Sequence, residues 1–115
     1  MAPPKLYMID LSPPVRTVLL TEKALGITLD HKIVTFTKQE QLAPDFLRLS
    51  PQHTIPTLVD NGYVIWDSHA IIAYLIGKYA NDDSLYPKHY EKRATIDQRL
   101  SFDSEVVFHN IRNIL

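Results

Sequence analysis

Three short stretches of this chain bring together residue types that can hold a small charged ligand: Ser12-Pro13-Pro14, Pro51-Gln52-His53-Thr54-Ile55-Pro56 and Asp67-Ser68-His69. A serine directly before a proline marks a helix start, with Ser12 at the N-cap and Pro13 at the first helical position. Two readings share that geometry. The hydroxyl can cap the helix, and the same helix end can present unpaired N–H groups and a positive dipole end to an anion. Asp67-Ser68 reads first as the N-cap pair of a further helix, and the same polar groups can face a ligand. Ile55-Pro56 is an extended dipeptide in a proline-flanked loop, and His53 beside it reads as a loop histidine. The chain has no cysteine, which excludes a disulfide scaffold, a thiolate zinc site and redox chemistry on a thiol of its own. Any sulfur that reacts here arrives with a ligand. The five histidines show no metal-ligand spacing, and no metal site is expected.

The elements that must position these residues follow from hydrophobic spacing. Lys5 to Ile9 is a short apolar-rich run that suits a strand, ended by Asp10-Leu11-Ser12-Pro13-Pro14 because successive prolines cannot continue a ladder. Val15, Val18, Leu19 and Leu25 recur at helical spacing, closed by Gly26 at a C′ position. Leu29 to Phe36, with the cluster Ile33-Val34-Thr35-Phe36, suits a second strand and completes a βαβ unit. A short helix is expected around Pro44 to Leu49, followed by the irregular loop Ser50 to Pro56. Thr57-Leu58-Val59 and Tyr63-Val64-Ile65-Trp66 flank Asn61-Gly62, a strong signal for an antiparallel hairpin. Behind Asp67-Ser68 runs a helix whose apolar face is Ile71, Ile72, Leu75, Ile76 and Tyr79.

The predicted order is therefore β-α-β-α-β-β-α over residues 1–80, a compact α/β domain. A polar segment closed by Pro87 reads as a linker over 81–89. From Tyr90 to Leu115 there is no glycine or proline, and Ile96, Leu100, Val107, Ile111 and Ile114 lie on one helical stripe that Asp103 interrupts. One unbroken helix is expected there, and the sequence ends inside it.

Composition narrows the function classes. Twelve Lys and Arg against 13 Asp and Glu give a net charge of -1, so there is no general electrostatic drive toward nucleic acid or an anionic membrane, and neither is expected as a partner. The apolar run Ala70 to Leu75 is far short of the roughly 20 residues that span a bilayer. The N-terminus does not read as a secretory signal, so a cytoplasmic location is the default expectation.

The element order, with an Xaa-Pro bond immediately before the third strand, is the thioredoxin-like plan. Ser12-Pro13-Pro14-Val15-Arg16, Pro51-Gln52-His53-Thr54-Ile55-Pro56-Thr57-Leu58 and Asp67-Ser68-His69-Ala70-Ile71, in that order and spacing, resemble the glutathione-binding half of a glutathione S-transferase. The insect-type epsilon class is the nearest resemblance, with delta its close relative. The linker Asp83 to Pro87 and the segment Asp97 to Leu100 extend the resemblance over essentially the whole chain.

The resemblance implies roles for these residues. Ser12 would donate a hydrogen bond to the glutathione sulfur, favouring the thiolate and lowering the thiol pKa from its reference of about 8.5. It would be an activator, not a nucleophile. The Ile55-Pro56 bond would be cis, and the Ile55 backbone would pair with the cysteinyl backbone of glutathione by strand addition. Asp67 would hold the γ-glutamyl ammonium and Ser68 the α-carboxylate, since a zwitterion needs one group of each kind. His53, with Thr54, would serve the glycyl end, where Gln41 stands in place of a second histidine often found in the epsilon class. Leu11, Pro14, Phe108 and Arg112 would face the electrophile, although Phe108 and Arg112 also read as a packing aromatic and a solvated charge. His69 would meet its symmetry mate in a homodimer, and Glu105 stands where the family pattern has glycine.

Family members continue for roughly another hundred residues through an all-helical domain, of which 90–115 would be the first helix. The activity implied is attack of an enzyme-bound glutathione thiolate on small hydrophobic electrophiles in detoxification, with glutathione as cosubstrate and no metal. The alternative is a non-catalytic glutathione-transferase-like binding or assembly module. A glutaredoxin-like enzyme lacks the cysteine it would need.

Overall fold

A computed structural model describes residues 2–9, 12–34 and 55–114. The chain divides into two compact units, residues 1–79 and 80–115.

In the first unit, β1 (Lys5–Met8) lies at the centre of a four-stranded mixed sheet with β2 (Asp30–Ile33), β3 (Thr57–Asp60) and β4 (Tyr63–Trp66), ordered β2-β1-β3-β4. β1 pairs in parallel with β2, while β3 runs antiparallel to both β1 and β4. This is the thioredoxin-like arrangement. Alternation along β1 sends Leu6 and Met8 to the core, and the Leu6–Leu58 register puts β3's Leu58 on the same face. Helices α1 (Pro13–Leu25) and α2 (Ser68–Tyr79) supply Val15, Val18, Ile71 and Leu75 to that cluster. Burying four such side chains from two helices against one sheet face, at about 25 cal/mol per Å² of apolar surface, supplies the main drive to fold. Ile72 and Tyr79 of the expected α2 face pack at the edge of this core.

Local signals ended the elements where expected. Gly26 follows α1 in the left-handed region at φ 68°, and its N–H donates to the carbonyls of Glu22 and Lys23. Asn61 and Gly62 both have positive φ, 51° and 85°, as a two-residue primed hairpin turn requires. Glu22 is the polar exception on the buried side of α1. It is buried, with Oε2 accepting from the Leu29 N–H at 2.7 Å and Oε1 2.8 Å from His31 Nε2, tying the end of α1 to β2. The second strand is described only as far as Val34, whose N–H donates to the Met8 carbonyl. The short helix expected around Pro44 to Leu49 lies outside the described residues.

The second unit corrects the expectation of one unbroken helix. α3 (Tyr90–Phe102) gives way to a π turn at Asp103–Val107 and then to α4 (Phe108–Ile114). The Phe108 N–H donates to the Asp103 carbonyl, five residues back. A π turn holds one residue more than an α turn, so everything after it is rotated by about 100° from the position that 3.6-residue spacing predicts. The half-exposed positions accordingly run Ile96, Leu100, Asp103 and then Phe108, whereas Val107, Ile111 and Ile114 of the predicted stripe are exposed. Ahead of α3, the Arg93 guanidinium stacks 3.9 Å from the Tyr86 ring centroid and donates to the carbonyls of Tyr86 and Pro87. Tyr86 Oη donates to Asp97 at 2.6 Å. Part of the expected linker is therefore bonded onto α3. Among the described residues, no helix is long and apolar enough to cross a membrane.

Candidate functional site

Sheet register decides which loops meet. Tyr7 of β1 pairs with Thr57 of β3, and Thr57 pairs with Trp66 of β4. That row is the last before the strands end on one side: Pro56 precedes Thr57, Asp67 follows Trp66, and β1 leaves past Met8 toward Ser12. The first turns of both α1 and α2 therefore begin at this sheet edge. It is also the carboxyl end of the two parallel strands, where open α/β sheets bind their ligands. Neither helix carries an acidic residue in its first turn; the positive end of α1 is therefore open to anions, whereas that of α2 is partly offset by the preceding Asp67 carboxylate.

The two helix starts are built differently. Ser12 occupies the N-cap of α1 with extended backbone, φ -74° and ψ 124°, and its carbonyl accepts the first helical hydrogen bond, from Arg16, at 3.0 Å. The expected side-chain cap is missing: the Ser12 hydroxyl makes no capping hydrogen bond. The sequence supplies a reason. An N-cap oxygen reaches for the N–H of the second or third helical residue; Pro14 at the second position has none, which leaves Val15 as the single candidate donor. The hydroxyl of a half-buried serine is thus left available at a helix N-terminus.

At α2 the cap is made. Asp67 Oδ2 accepts from the Ala70 N–H at 3.2 Å, and the Asp67 carbonyl accepts from Ile71 at 2.9 Å. Among the described residues one carboxylate oxygen is engaged, leaving Oδ1 for another donor. Asp67 holds φ 78°, a left-handed value that costs a residue with a side chain of order 1 kcal/mol and that aspartate tolerates better than most. Ser68, at the start of the helix, is buried. The Ile55–Pro56 peptide is cis, as the resemblance implied, and Pro56 and Thr57 are fully buried beneath this edge.

Of the expected site residues, Ser12, Pro14, Ile55, Pro56, Asp67 and Ser68 are gathered on or beside this edge, with His69 the second residue of α2. Leu11, Gln41, His53 and Thr54 lie outside the described residues. Phe108 and Arg112 stand one turn apart on α4 in the second unit, directly after the π turn that contains Glu105. Among the described residues there is no cluster of three or more His, Cys, Asp or Glu able to hold a metal ion.

A second polar cluster occupies the far ends of β3 and α2. Asp60 is almost fully buried, and its Oδ2 accepts from Tyr74 Oη at 2.7 Å, Lys78 Nζ at 2.8 Å and Tyr79 Oη at 2.7 Å. Its Oδ1 is buried with no hydrogen-bond partner among the described residues. Lys78 Nζ also donates to Tyr74 Oη at 3.2 Å and lies over both tyrosine rings. The Tyr74 ring leans on Tyr63, the hairpin partner of Asp60, with centroids 5.2 Å apart. Burial opposes ionisation of Asp60, but hydrogen bonds from Lys78, Tyr79 and Tyr74, with the lysine charge, outweigh it and hold the carboxyl below its ordinary value. Burial and then the Asp60 bond push both tyrosines up. The Asp60 bond, ahead of all else, pushes Lys78 up. Sequence reasoning missed this cluster because Asp60 stands in front of Asn-Gly, where an aspartate reads as turn chemistry. The available signal was a lysine and two tyrosines at positions i, i+4 and i+5 on one helix.

With this geometry in place, the likeness to known proteins is specific. The family description "Glutathione S-transferase, N-terminal domain" matches residues 6–83, and the chain belongs to the glutathione S-transferase family. Glutathione S-transferase D7 of Anopheles gambiae is 47% identical over 108 residues, 94% of this chain and 50% of that protein. Among solved structures, glutathione transferase E6 of Drosophila melanogaster is 56% identical with a TM-score of 0.92, over 96% of this chain and 51% of that one. A glutathione transferase homologue of Drosophila mojavensis with bound glutathione is 54% identical with a TM-score of 0.91, over 94% and 49%. Epsilon-class and delta-class structures both match. The chain spans about half the length of these relatives.

Proposed function

We propose that this chain is the glutathione-binding portion of an insect-type glutathione transferase of the epsilon class. The observation that carries the reading is the available Ser12 hydroxyl at a helix N-terminus, on the same sheet edge as Ile55, Pro56 and the half-used Asp67 cap. The glutathione held by the Drosophila mojavensis homologue supports the ligand. In this reading Asp67 Oδ1 accepts from the γ-glutamyl ammonium and Ser68 meets the α-carboxylate at the positive end of α2. The Ile55 backbone pairs with the cysteinyl unit, and Gln41, His53 and Thr54 serve the glycyl end.

The sulfur then lies toward the start of α1. Ser12 Oγ–H donates to it, and the thiol proton leaves to solvent. The hydroxyl transfers no proton; it stabilises the anion by a charge-assisted hydrogen bond, which lowers the thiol pKa. The thiolate lone pair forms the new S–C bond to a hydrophobic electrophile as the leaving group departs with its electron pair, or as an acceptor π bond takes up the electrons. The family resemblance assigns Leu11, Pro14, Phe108 and Arg112 to the electrophile, and His69 to contact with its mate in a cytoplasmic homodimer acting in detoxification. No observation favours a non-catalytic module.

The test pairs two measurements. Calorimetric titration of glutathione is expected to saturate and to weaken about tenfold or more in Asp67→Ala, the size of a lost charge-assisted bond. Thiolate absorbance of bound glutathione against pH is expected to move up in Ser12→Ala. A folded chain that does not bind glutathione, or an unmoved thiolate midpoint, would sink the respective assignment.

A further inference from the structure

The Asp60 cluster lies well away from the proposed ligand. Four strand steps of about 3.3 Å separate Pro56 from Asp60, and eleven helical steps of about 1.5 Å separate Asp67 from Lys78. Yet β3 and α2 are the two elements that carry the proposed glutathione groups at one end and this cluster at the other. β3 brings Ile55–Pro56 and Asp60; α2 brings Asp67–Ser68 and Tyr74, Lys78 and Tyr79. Three donors from one helix face converge on a single strand oxygen, Asp60 Oδ2.

Such convergence restricts the helix in two ways. Hydrogen bonds of 2.7–2.8 Å tolerate only a few tenths of an ångström, whereas a slip of α2 by one residue moves its side chains about 1.5 Å along the axis and about 100° around it. The apolar contacts of Ile71 and Leu75 are non-directional and permit small adjustments that the three bonds do not. Burial strengthens the restraint, because separating any donor leaves a buried carboxylate less compensated.

We propose that Asp60 is a positioning residue for glutathione: by collecting Tyr74, Lys78 and Tyr79 on one oxygen it fixes the register of α2 against β3, and so the spacing between the Ile55–Pro56 backbone and the Asp67–Ser68 cap. The inference rests on the reading of those residues as the glutathione site. It assigns Asp60 no contact with ligand and no part in sulfur activation, which belongs to Ser12 on α1.

The test uses Lys78→Met and Tyr79→Phe, each removing one donor, with Lys78→Arg as the conservative rescue and Asp60→Asn as the central variant if it folds. Glutathione titration is expected to show dissociation constants raised about threefold to tenfold in the two donor variants, the size of one lost hydrogen bond. The thiolate midpoint of bound glutathione is expected to stay at the wild-type value. In the unliganded chain, the amide NMR frequencies of Ser68, His69, Ala70 and Ile71 are expected to shift, and Lys78→Arg to restore both frequencies and affinity. A merely structural role would lower unfolding stability and leave affinity and those amides at their wild-type values, and that result overturns the proposal. Shifted amides in the donor variants, together with a wild-type chain that binds no glutathione, would instead remove the ligand reading and leave the register clamp standing.

Discussion

The two ends of the β3 and α2 pair contrast in how they use a carboxylate. At the edge proposed to hold glutathione, Asp67 is exposed, makes one cap bond with one oxygen and holds a left-handed φ. At the far end, Asp60 is buried and takes three hydrogen bonds on one oxygen. The difference teaches a division of labour within one supersecondary unit. In the proposed reading, the groups that meet glutathione keep one oxygen or hydroxyl for it, and the bonds that hold the scaffold are gathered at the opposite end.

The largest expected effect comes from breaking the buried end. Asp60→Ala is expected to lower unfolding stability by about 3 kcal/mol in denaturant titration, because it strands two tyrosine hydroxyls and a lysine that share one acceptor. A loss under about 1 kcal/mol would mean that the cluster is no stronger than a surface ion pair. The same end sets a pH dependence. Since the Asp60 carboxyl is held below its ordinary value, its contribution is complete above about pH 4, the unfolded value, and is lost as pH falls through the lower folded one. The raised tyrosines and lysine make the opposite limb, complete below about pH 10 and lost above it. The stability gap between wild type and Asp60→Asn is expected to be flat between about pH 5 and 9 and to shrink on the acid side of about pH 4.

An intermediate effect sharpens the exposed end. Asp67→Asn keeps an N-cap acceptor and tolerates positive φ, so stability is expected to change by less than about 0.5 kcal/mol. Glutathione affinity is expected to fall about tenfold with the lost charge. Equal losses in both measurements would show that Asp67 acts only as a cap.

The smallest effect is expected at the neighbouring helix start. Ser12→Ala should change unfolding stability by less than about 0.5 kcal/mol, since its hydroxyl makes no capping bond. A loss near the usual cap value of about 1 kcal/mol would place the hydroxyl on the helix and not on a ligand.

Much of this arrangement was legible before the structure. Gly26 as a helix end, Asn61-Gly62 as the hairpin turn and Ser12 and Asp67 as helix starts depend on φ preferences and missing N–H groups that belong to single residues or their immediate neighbours. What Pro14 does to the Ser12 cap was implicit in the same rules, yet Ser-Pro alone read as an ordinary capped start. The π turn was not legible. Asp103 interrupting the stripe was visible, but α-helical spacing carried the stripe on to Val107, where the structure has Phe108.

The amino-acid sequence by itself determined the order of the described elements of the first unit, the turn positions and which polar residues stand at helix starts, because these follow from backbone restrictions and short-range periodicity. Tertiary structure alone decided which of those residues share a sheet edge, through the pairings of Tyr7 with Thr57 and Thr57 with Trp66. It alone turned Asp60 from a turn residue into a buried acceptor for side chains 14 to 19 positions later. A carboxylate is drawn into a protein only where enough donors converge to replace its water, and convergence of that kind is a property of packed elements, not of neighbouring residues.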